Sequence, residues 1–131
     1  MILRKATMED CKFIYNLRNQ LYVRNASWDT EIIDYSEHEN WFKNNFKYYY
    51  IINDNKGFIR VKDGEVSIAI LEEQQNKGLG TSALKEITNL YPNLKAEVKL
   101  DNLKSLYFFI NAGFKPIGLI LQKFDSEEDK K

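Results

Sequence analysis

The first third of the chain has the hydrophobic pattern of a short strand followed by helices. Residues 2–6 predict the strand, and Thr7 with Asp10 forms a capping-box pattern that opens a helix. Apolar residues then recur at helical spacing, and the helix is predicted to bury Phe13, Ile14, Leu17 and Leu21. A second capping-box pattern over residues 36–39 opens a helix whose apolar side carries Trp41, Phe42 and Phe46. The sequence thus predicts two helices before the main sheet.

The middle of the chain favours β-strands. Residues 48–53, 57–62 and 65–71 are rich in β-branched and aromatic residues. Turn-forming residues separate them, over 54–57 and at Asp63-Gly64, a pair typical of a tight hairpin. We therefore predict an antiparallel meander of three strands.

A helix and a strand are predicted next. Gly78 and Gly80 open the helix, and Pro92 ends it because proline cannot continue a helix. Residues 94–100 alternate polar and apolar positions, which predicts a half-exposed strand.

The end of the chain predicts one more helix and one more strand region. The helix covers residues 102–112 with Gly113 as its C-cap, and the strand region covers residues 115–124. Residues 125–131 are nearly all charged, which predicts a frayed tail. We expect residues 1–131 to form one α+β (mixed α/β) domain. Its central, mostly antiparallel sheet is flanked by about four helices.

Composition narrows the functional classes. The chain has 131 residues, which suits one domain, and its 19 basic and 19 acidic residues cancel, so no overall field attracts nucleic acid. The longest apolar runs have five residues, against about 20 for a membrane span, and the N-terminus lacks the apolar region of a signal peptide. We expect a cytoplasmic protein with neither membrane nor nucleic-acid partners. One cysteine and one histidine cannot assemble a Cys/His zinc cluster, so no metal is expected.

Residues 75–81 carry the clearest chemical signal. Gln75-Asn76-Lys77-Gly78-Leu79-Gly80-Thr81 lies between a strand and a helix, where free backbone N–H groups and the positive end of the helix dipole can hold a diphosphate. The segment matches neither the P-loop nor the three-glycine dinucleotide pattern. The alternative is that the glycines only turn the chain.

Two motifs at a characteristic separation resemble the GCN5-related N-acetyltransferase superfamily. The spacing of Gln75, Gly78 and Gly80 resembles the acetyl-CoA loop of that superfamily, Q/R-x-x-G-x-G/A. Residues 102–114, which begin 27 positions after Gln75, look like its NxxAxxLYxxxGF segment. The resemblance implies an acyl-CoA N-acyltransferase fold, acetyl-CoA as cosubstrate, and direct acetyl transfer to a primary amine on a small-molecule acceptor.

The resemblance also implies which residues contact acetyl-CoA. The pantetheine arm would run along the strand at Ile68, Ala69 and Ile70, and the diphosphate would lie on residues 75–81. Helical spacing places three further residues on one stripe that can face the cofactor: Asn102, Ser105 and Phe109. The neighbouring stripe is predicted to enter the core: Leu103, Leu106, Tyr107 and Ile110.

Acetyl transfer to an amine calls for a base, because an amine with a pKa of about 10.4 is charged at neutral pH. Glu97 stands where the resembling ribosomal-protein acetyltransferases carry a base glutamate; a solvated strand carboxylate is the alternative. Glu65 and Glu72 are weaker candidates. The superfamily often has a tyrosine that protonates the departing thiolate, and Phe109 occupies that position here.

The acceptor is indicated by a second, narrower resemblance. It rests on a set of residues spread over the first half of the chain: Leu17-Arg18-Asn19, Val23-Arg24, Ser27, Ile33, His38, Trp41-Phe42 and Gly57-Phe58-Ile59-Arg60. These residues resemble acetyltransferases of bacterial nucleotide-activated amino-sugar pathways, which commonly also carry phenylalanine at the acid position. That resemblance suggests a set of acceptor contacts: Arg18, Asn19, Arg24, His38 and Trp41. The alternatives are surface pairing for the arginines and a core role for the tryptophan.

Two other functions remain open from the sequence. One is acetylation of protein N-termini or polyamines, and the other is a non-catalytic acyl-CoA-binding module, which the missing tyrosine permits. A homodimer is also left open.

Overall fold

Four antiparallel strands form the sheet of the computed structural model, which describes residues 1–125. The strands are β1 (Leu3–Lys5), β2 (Tyr49–Ile52), β3 (Gly57–Lys62) and β4 (Glu65–Ile70). They lie in the order β1-β2-β3-β4, so each strand pairs with the next one along the chain. The predicted first strand and the three-strand meander are confirmed.

Five α-helices and three single-turn 3-10 helices accompany the sheet. The α-helices are α1 (Cys11–Arg18), α2 (Leu21–Ala26), α3 (Tyr35–Phe42), α4 (Leu79–Leu90) and α5 (Leu103–Asn111). The 3-10 turns cover Met8–Asp10, Phe46–Tyr48 and Glu72–Gln74. The α+β class is thereby confirmed, with one helix more than the sequence predicted.

The caps of the first helices agree with the sequence only in part. The Thr7–Asp10 capping box is confirmed, because the Thr7 hydroxyl accepts from Glu9 N–H at 3.3 Å and Asp10 accepts from Thr7 N–H at 2.8 Å. The box predicted over residues 36–39 is wrong. Asp34 caps α3 instead by accepting from Glu37 N–H at 3.2 Å.

The chain between α1 and α3 also differs from its prediction. Leu21 was expected to be buried in the first helix, but it begins α2 and is 61% exposed. The first helix ends at Arg18, and three α-helices rather than two therefore precede β2. Phe46 lies outside α3, in its own 3-10 turn.

Each face of the sheet packs against a different set of helices. On one face α4 and α5 contribute Ala83, Leu84, Ile87 and Phe109 to a core that includes Ile52 and Ile59 from the strands. On the other face α1 and α3 contribute Cys11, Ile14, Leu17 and Phe42 to a core that includes Tyr49 and Phe58. Because strand side chains alternate between faces, Arg60 lies on the same face as Phe58, beneath α1 and α3.

The predicted strand over residues 94–100 is wrong as a regular strand. It makes one parallel bridge, between Glu65 and Lys95, with Val66 N–H donating to the Lys95 carbonyl at 2.9 Å. No further ladder between β4 and this segment forms within residues 1–125. The two segments separate after one bridge, and the rest of β4 has a free edge.

The predicted strand over residues 115–124 is also wrong. The segment has no regular secondary structure, and a strand requires a neighbouring strand, which this segment lacks among the described residues. Four aliphatic side chains of the segment are exposed: Ile117, Leu119, Ile120 and Leu121. Of the tail predicted to fray, residues 126–131 lie outside the described residues.

Helix α5 turns a different side to the core than predicted. Leu103, Tyr107 and Ile110, expected in the core, are exposed. Phe109 is buried instead, with Phe108 packed beside it. The segment is apolar on several sides, so its sequence alone does not select the buried face. Gly113 has φ 99°, the left-handed conformation expected directly after a helix end.

Gly57 controls how closely β3 and β4 approach. A Cβ at this position would collide with the Ala69 carbonyl oxygen and lie 3.0 Å from the Ile70 Cα. We expect Gly57→Ala to lower the free energy of unfolding by about 1–3 kcal/mol, the usual cost of overpacking. Gly118→Ala, whose Cβ would meet nothing within 4 Å, is the control. Urea denaturation at one low protein concentration compares the variants, and equal losses would contradict the close approach.

Candidate functional site

A cleft of about 940 Å³ opens where β4 and residues 94–100 separate. Its walls come from the end of α1, from α2, from the free edge of β4 and from the first turns of α4 and α5. The cleft therefore brings together most of the residues that the sequence assigned to the cofactor and part of the set assigned to the acceptor.

The free edge of β4 presents main-chain hydrogen-bonding groups to the cleft. Paired residues in an antiparallel ladder alternate between bonding across the ladder and facing away. Leu71 N–H donates to the Lys56 carbonyl at 2.9 Å, so the backbone groups of Ile68 and Ile70 face away from β3. The Ile70 carbonyl accepts from the Tyr22 hydroxyl at 2.6 Å. Within residues 1–125, both backbone groups of Ile68 and the Ile70 N–H face a side with no partner strand.

The glycine loop leads into an uncapped helix N-terminus. Asn76 and Gly78 adopt left-handed conformations with φ 63° and 78°, which Asn and Gly tolerate best. Gly78 is the N-cap of α4 and supplies no side-chain cap, and the first bond into the helix runs from Ser82 N–H to the Gly78 carbonyl at 3.0 Å. The N–H groups of residues 79–81 precede that bond and have no helical acceptor. Leu79, Gly80 and Thr81 all line the cleft.

Gln75 connects the glycine loop to β4 and to α5 through its side chain. Its Nε2 donates to the Ile70 carbonyl at 3.3 Å, and its Oε1 accepts from Lys104 Nζ at 2.7 Å. Lys104 and Asn76 line the cleft with it. Lys77 does not line the cleft and reaches Gln74 Oε1 instead, at 3.5 Å.

The first turn of α5 forms the wall opposite the loop. Asn102 caps the helix by accepting from Ser105 N–H at 3.2 Å, and both residues line the cleft. Phe109 is buried and lines it too, so the predicted stripe of three residues is together on one side. Phe108 packs close to Gly80, where a Cβ would lie 3.2 Å from the Phe108 ring.

Glu97 lies on the cleft wall where the strands have separated. Its Oε1 accepts from the Trp28 indole N–H at 2.9 Å, and its side chain is exposed. A second bond from the same segment runs from Lys99 Nζ to the Asn25 carbonyl at 2.8 Å. The loop after α2 therefore holds residues 97–99 in place. The two weaker candidates for the base differ in position: Glu72 lines the cleft, and Glu65 does not.

Arg18 lies at the acceptor end of the cleft in a fixed position. Its Nη1 donates to His38 Nδ1 at 2.9 Å, and its guanidinium carbon lies 4.5 Å from the centroid of the Trp41 ring. Burial lowers the pKa of Arg18, and the charge of Arg60 lowers it further. Arg18, Trp41 and Arg60 all line the cleft.

His38 lies behind Arg18 and not in the cleft. It is 1% exposed, and its Nε2 is 2.9 Å from the Cys11 carbonyl. A guanidinium can only donate and a carbonyl can only accept, so Nδ1 accepts, Nε2 carries the proton, and the ring is neutral. Burial lowers the pKa of His38, which favours that form. The predicted contact between His38 and sugar hydroxyls is therefore corrected to a contact with Arg18.

The other two predicted acceptor residues bond to the chain itself. The Asn19 side chain donates to the Ile33 carbonyl at 3.0 Å and accepts from its N–H at 2.8 Å, and it does not line the cleft. Arg24 lines the cleft, but it donates to the carbonyls of Asn19 and Thr30 at 3.0 and 3.1 Å. Both residues hold the loop between α2 and α3 against α1.

Sequence reasoning missed several residues that line the cleft: Tyr22, Lys104 and Phe108. It also missed Trp28, which donates to Glu97. Lys104 was recoverable, because it follows Asn102 on the same first turn, whereas the others depend on how distant segments meet.

Two classes of site find no support in the part of the chain that the structure describes. No group of three or more His, Cys, Asp or Glu side chains is gathered there as metal ligands would be. No helix in that part is long and apolar enough to cross a bilayer.

Solved structures with this fold are numerous. A domain from Methanocaldococcus jannaschii superposes with a TM-score of 0.76 at 20% identity, covering 87% of both chains. A ribosomal-protein-alanine N-acetyltransferase from Brucella melitensis gives 0.70 at 18% identity, over 90% of this chain and 86% of that one. The putative acetyltransferase yncA from Salmonella typhimurium, solved with acetyl-CoA, gives 0.67 at 21% identity, over 86% of this chain and 78% of that one. These likenesses confirm the predicted fold.

Curated proteins offer no comparable match to this sequence. A model of the acetyltransferase (GNAT) family matches residues 11–114, which contain the glycine loop, the free edge of β4 and the first turn of α5. The predicted enzyme class and the predicted acetyl-CoA cosubstrate are confirmed at the level of the family. With its match over most of the sequence, the chain belongs to the acetyltransferase (GNAT) family.

Proposed function

We propose that the chain transfers the acetyl group of acetyl-CoA to the amine of a nucleotide-linked amino sugar. One observation carries the cofactor half of the proposal: an uncapped helix N-terminus and a free strand edge face the same cleft. The N–H groups at the start of α4 suit a diphosphate, and the unpaired groups of Ile68 and Ile70 suit an amide-bearing arm. Lys104 and Ser105 line the same end.

Glu97 is our candidate for the base. Acetyl-CoA supplies a reactive thioester, and the amine must lose its proton before it attacks. Glu97 lines the cleft with a carboxylate that Trp28 holds through one oxygen, which leaves the other oxygen for the ammonium or for a water beside it. Phe109 has no proton to give, so the departing thiolate takes its proton from water; a thiol with a pKa near 8.5 leaves without a dedicated acid.

The acceptor half of the proposal rests on the cations of the cleft. Arg18 lies over Trp41 at the end away from the helix N-terminus of α4, with Arg60 beside it. Guanidinium groups bind phosphate oxygens in bidentate fashion, and the tryptophan ring offers an apolar surface. Both features suit the diphosphate of a nucleotide sugar.

A polyamine or peptide N-terminus is the second candidate acceptor. Asp29, Glu31 and Glu72 also line the cleft, and carboxylates there would favour a cationic substrate. Free-thiol release from acetyl-CoA separates the candidates, with UDP-linked 4-amino sugars, spermidine and short peptides as acceptors. We expect turnover with the UDP-sugars; turnover with spermidine or peptides alone would assign the second candidate. Tight CoA binding without transfer to any amine would indicate a non-catalytic module.

Gly80→Val should weaken CoA binding. The added side chain would meet the Phe108 ring, already 3.2 Å from a Cβ at this position, and move the start of α4 away from α5. We expect the Kd for CoA in calorimetry to rise at least about tenfold, which corresponds to losing one charge-assisted hydrogen bond. Gly118→Val is the control, because a Cβ at that position would meet nothing within 4 Å. Unchanged affinity of a folded Gly80→Val variant would mean that the diphosphate lies elsewhere.

Glu97→Gln should lower kcat by about 10²- to 10⁴-fold, the usual contribution of a general base, with the Kd for CoA unchanged. Glu72→Gln is the control, since Glu72 lines the same cleft without a bond to Trp28. Trp28→Phe removes the indole N–H that holds the Glu97 carboxylate, so kcat should fall by less than in Glu97→Gln. Unchanged kinetics of Glu97→Gln would return this residue to a solvated surface role.

We also propose that two copies associate through the apolar end of the chain. Four aliphatic side chains near the end of the described residues are exposed: Ile117, Leu119, Ile120 and Leu121. A contiguous exposed apolar patch is typical of an interaction surface. The exposed side chains of residues 117–121 and of α5 make a second copy the fitting occupant.

Replacing Ile117 and Leu119 with Asp should produce monomers, because a charged group cannot be buried without a partner. Light scattering after size-exclusion chromatography should give twice the monomer mass for the wild type and the monomer mass for the variant. Lys115→Asp is the control for charge alone. A monomeric wild type at micromolar concentration would contradict this interface.

A further inference from the structure

Arg60 is a charged residue of the cleft to which the sequence motifs assign no role. It lies in β3, opposite Tyr49 of β2 and Ser67 of β4, on the face covered by α1 and α3. In the part of the chain that the structure describes, its Nε is the one buried side-chain polar atom without a hydrogen-bond partner. A buried donor without a partner is costly in a folded protein, which marks this nitrogen as a group that awaits an acceptor.

The positive charges of Arg18 and Arg60 affect the same small region of the cleft. Both line the cleft, and the charge of Arg60 lowers the pKa of Arg18. Burial raises the pKa of the Tyr49 hydroxyl between β3 and α1, and the charges of both arginines lower it. Two guanidinium groups therefore lie near the same buried tyrosine.

Neither arginine has a carboxylate partner within residues 1–125. Among residues 1–125 the ion pair within 4.0 Å is Arg4 with Asp10, on the far side of β1 from the cleft. Two like charges at one site raise the free energy of the empty cleft. The surrounding structure nevertheless holds Arg18 in place from two sides, through His38 and through the Trp41 ring.

We propose that Arg18 and Arg60 form an oxyanion subsite that selects acceptors carrying a phosphate or carboxylate group in addition to the amine. The inference rests on acetyl transfer in this cleft and assigns the second cation to Arg60, since Arg24 is committed to backbone carbonyls. Arg18 keeps the nitrogen atoms that His38 does not use, and Arg60 lines the cleft with a guanidinium that no carboxylate among residues 1–125 neutralises. One oxyanion between them would satisfy both groups.

Matched pairs of acceptors test the subsite. Glucosamine 6-phosphate is compared with glucosamine, and alanine with alaninamide, so that each pair shares its amine and differs in the anion. We expect kcat/KM for the anionic member of at least one pair to exceed that of its neutral partner by about 10- to 100-fold, as a charge-assisted hydrogen bond supplies. The pair that shows the preference identifies phosphate or carboxylate as the source. Equal rates within both pairs, or a preference for the neutral members, would overturn the subsite while leaving acetyl transfer intact.

Variants of Arg60 assign the effect to this residue. Arg60→Gln should bring the ratio of kcat/KM for the anionic member to kcat/KM for its neutral partner close to one, mainly by raising KM for the anionic member. Arg60→Lys should restore the preference in part because it keeps the charge without the fork. Lys62→Gln is the matched control: it lies on the same strand and face, with its Nζ over the Tyr48 ring. A preference that survives in Arg60→Gln would overturn the assignment.

A binding measurement decides the question without turnover. Inorganic phosphate is titrated calorimetrically into the CoA-loaded protein, in which the helix N-terminus of α4 is already occupied. We expect saturable binding to the wild type that is weakened about tenfold or more in Arg60→Gln and unchanged in Lys62→Gln. No binding to the wild type, or equal binding to all three proteins, would overturn the subsite. Failure of CoA itself to bind would instead contradict the proposed function.

Discussion

The hydrogen bond from Val66 N–H to the Lys95 carbonyl is where the sheet stops being continuous. If the ladder had continued, the outward-facing groups of Ile68 and Ile70 would be paired with another strand and the cleft would be closed. Because it stops after one bridge, those groups open into a cavity that ends at the N-terminus of α4. A strand edge and a helix end, both short of partners within residues 1–125, thereby face the same cleft.

The two ends of the cleft use different electrostatics although the chain as a whole carries no net charge. In the proposed function, the cofactor end relies on main-chain donors at the start of α4, supplemented by Lys104. The proposed acceptor end relies on Arg18 and Arg60, which lie on the α1–α3 face of the sheet. Glu97 lies on the wall formed by residues 94–100, held by Trp28. Charge is therefore placed locally, and the bulk balance says nothing about either ligand.

The sequence predicted the elements whose signals are local. The meander followed from its turn residues, and α4 followed from Gly78 and Pro92, because capping and turn chemistry act over a few residues. Residues 94–100 and 115–124 were predicted as strands and do not form them, since a strand needs a partner that propensity cannot supply. The same limit applies to the cleft: its glycine loop was found from spacing, whereas Arg60 enters it through the register of β3 against β2.

His38 shows how a side chain able to act as an acid or base can instead support a site by positioning another residue. Its two ring nitrogens are fully used, one by Arg18 and one by the Cys11 carbonyl. Protonation would remove the acceptor for Arg18 and place a second positive charge against it. The direction of its pKa shift, downward through burial, keeps the ring neutral over more of the pH range. The orientation of Arg18 therefore depends on a histidine that stays uncharged, and this explains why the single histidine of the chain is buried behind the cleft rather than within it.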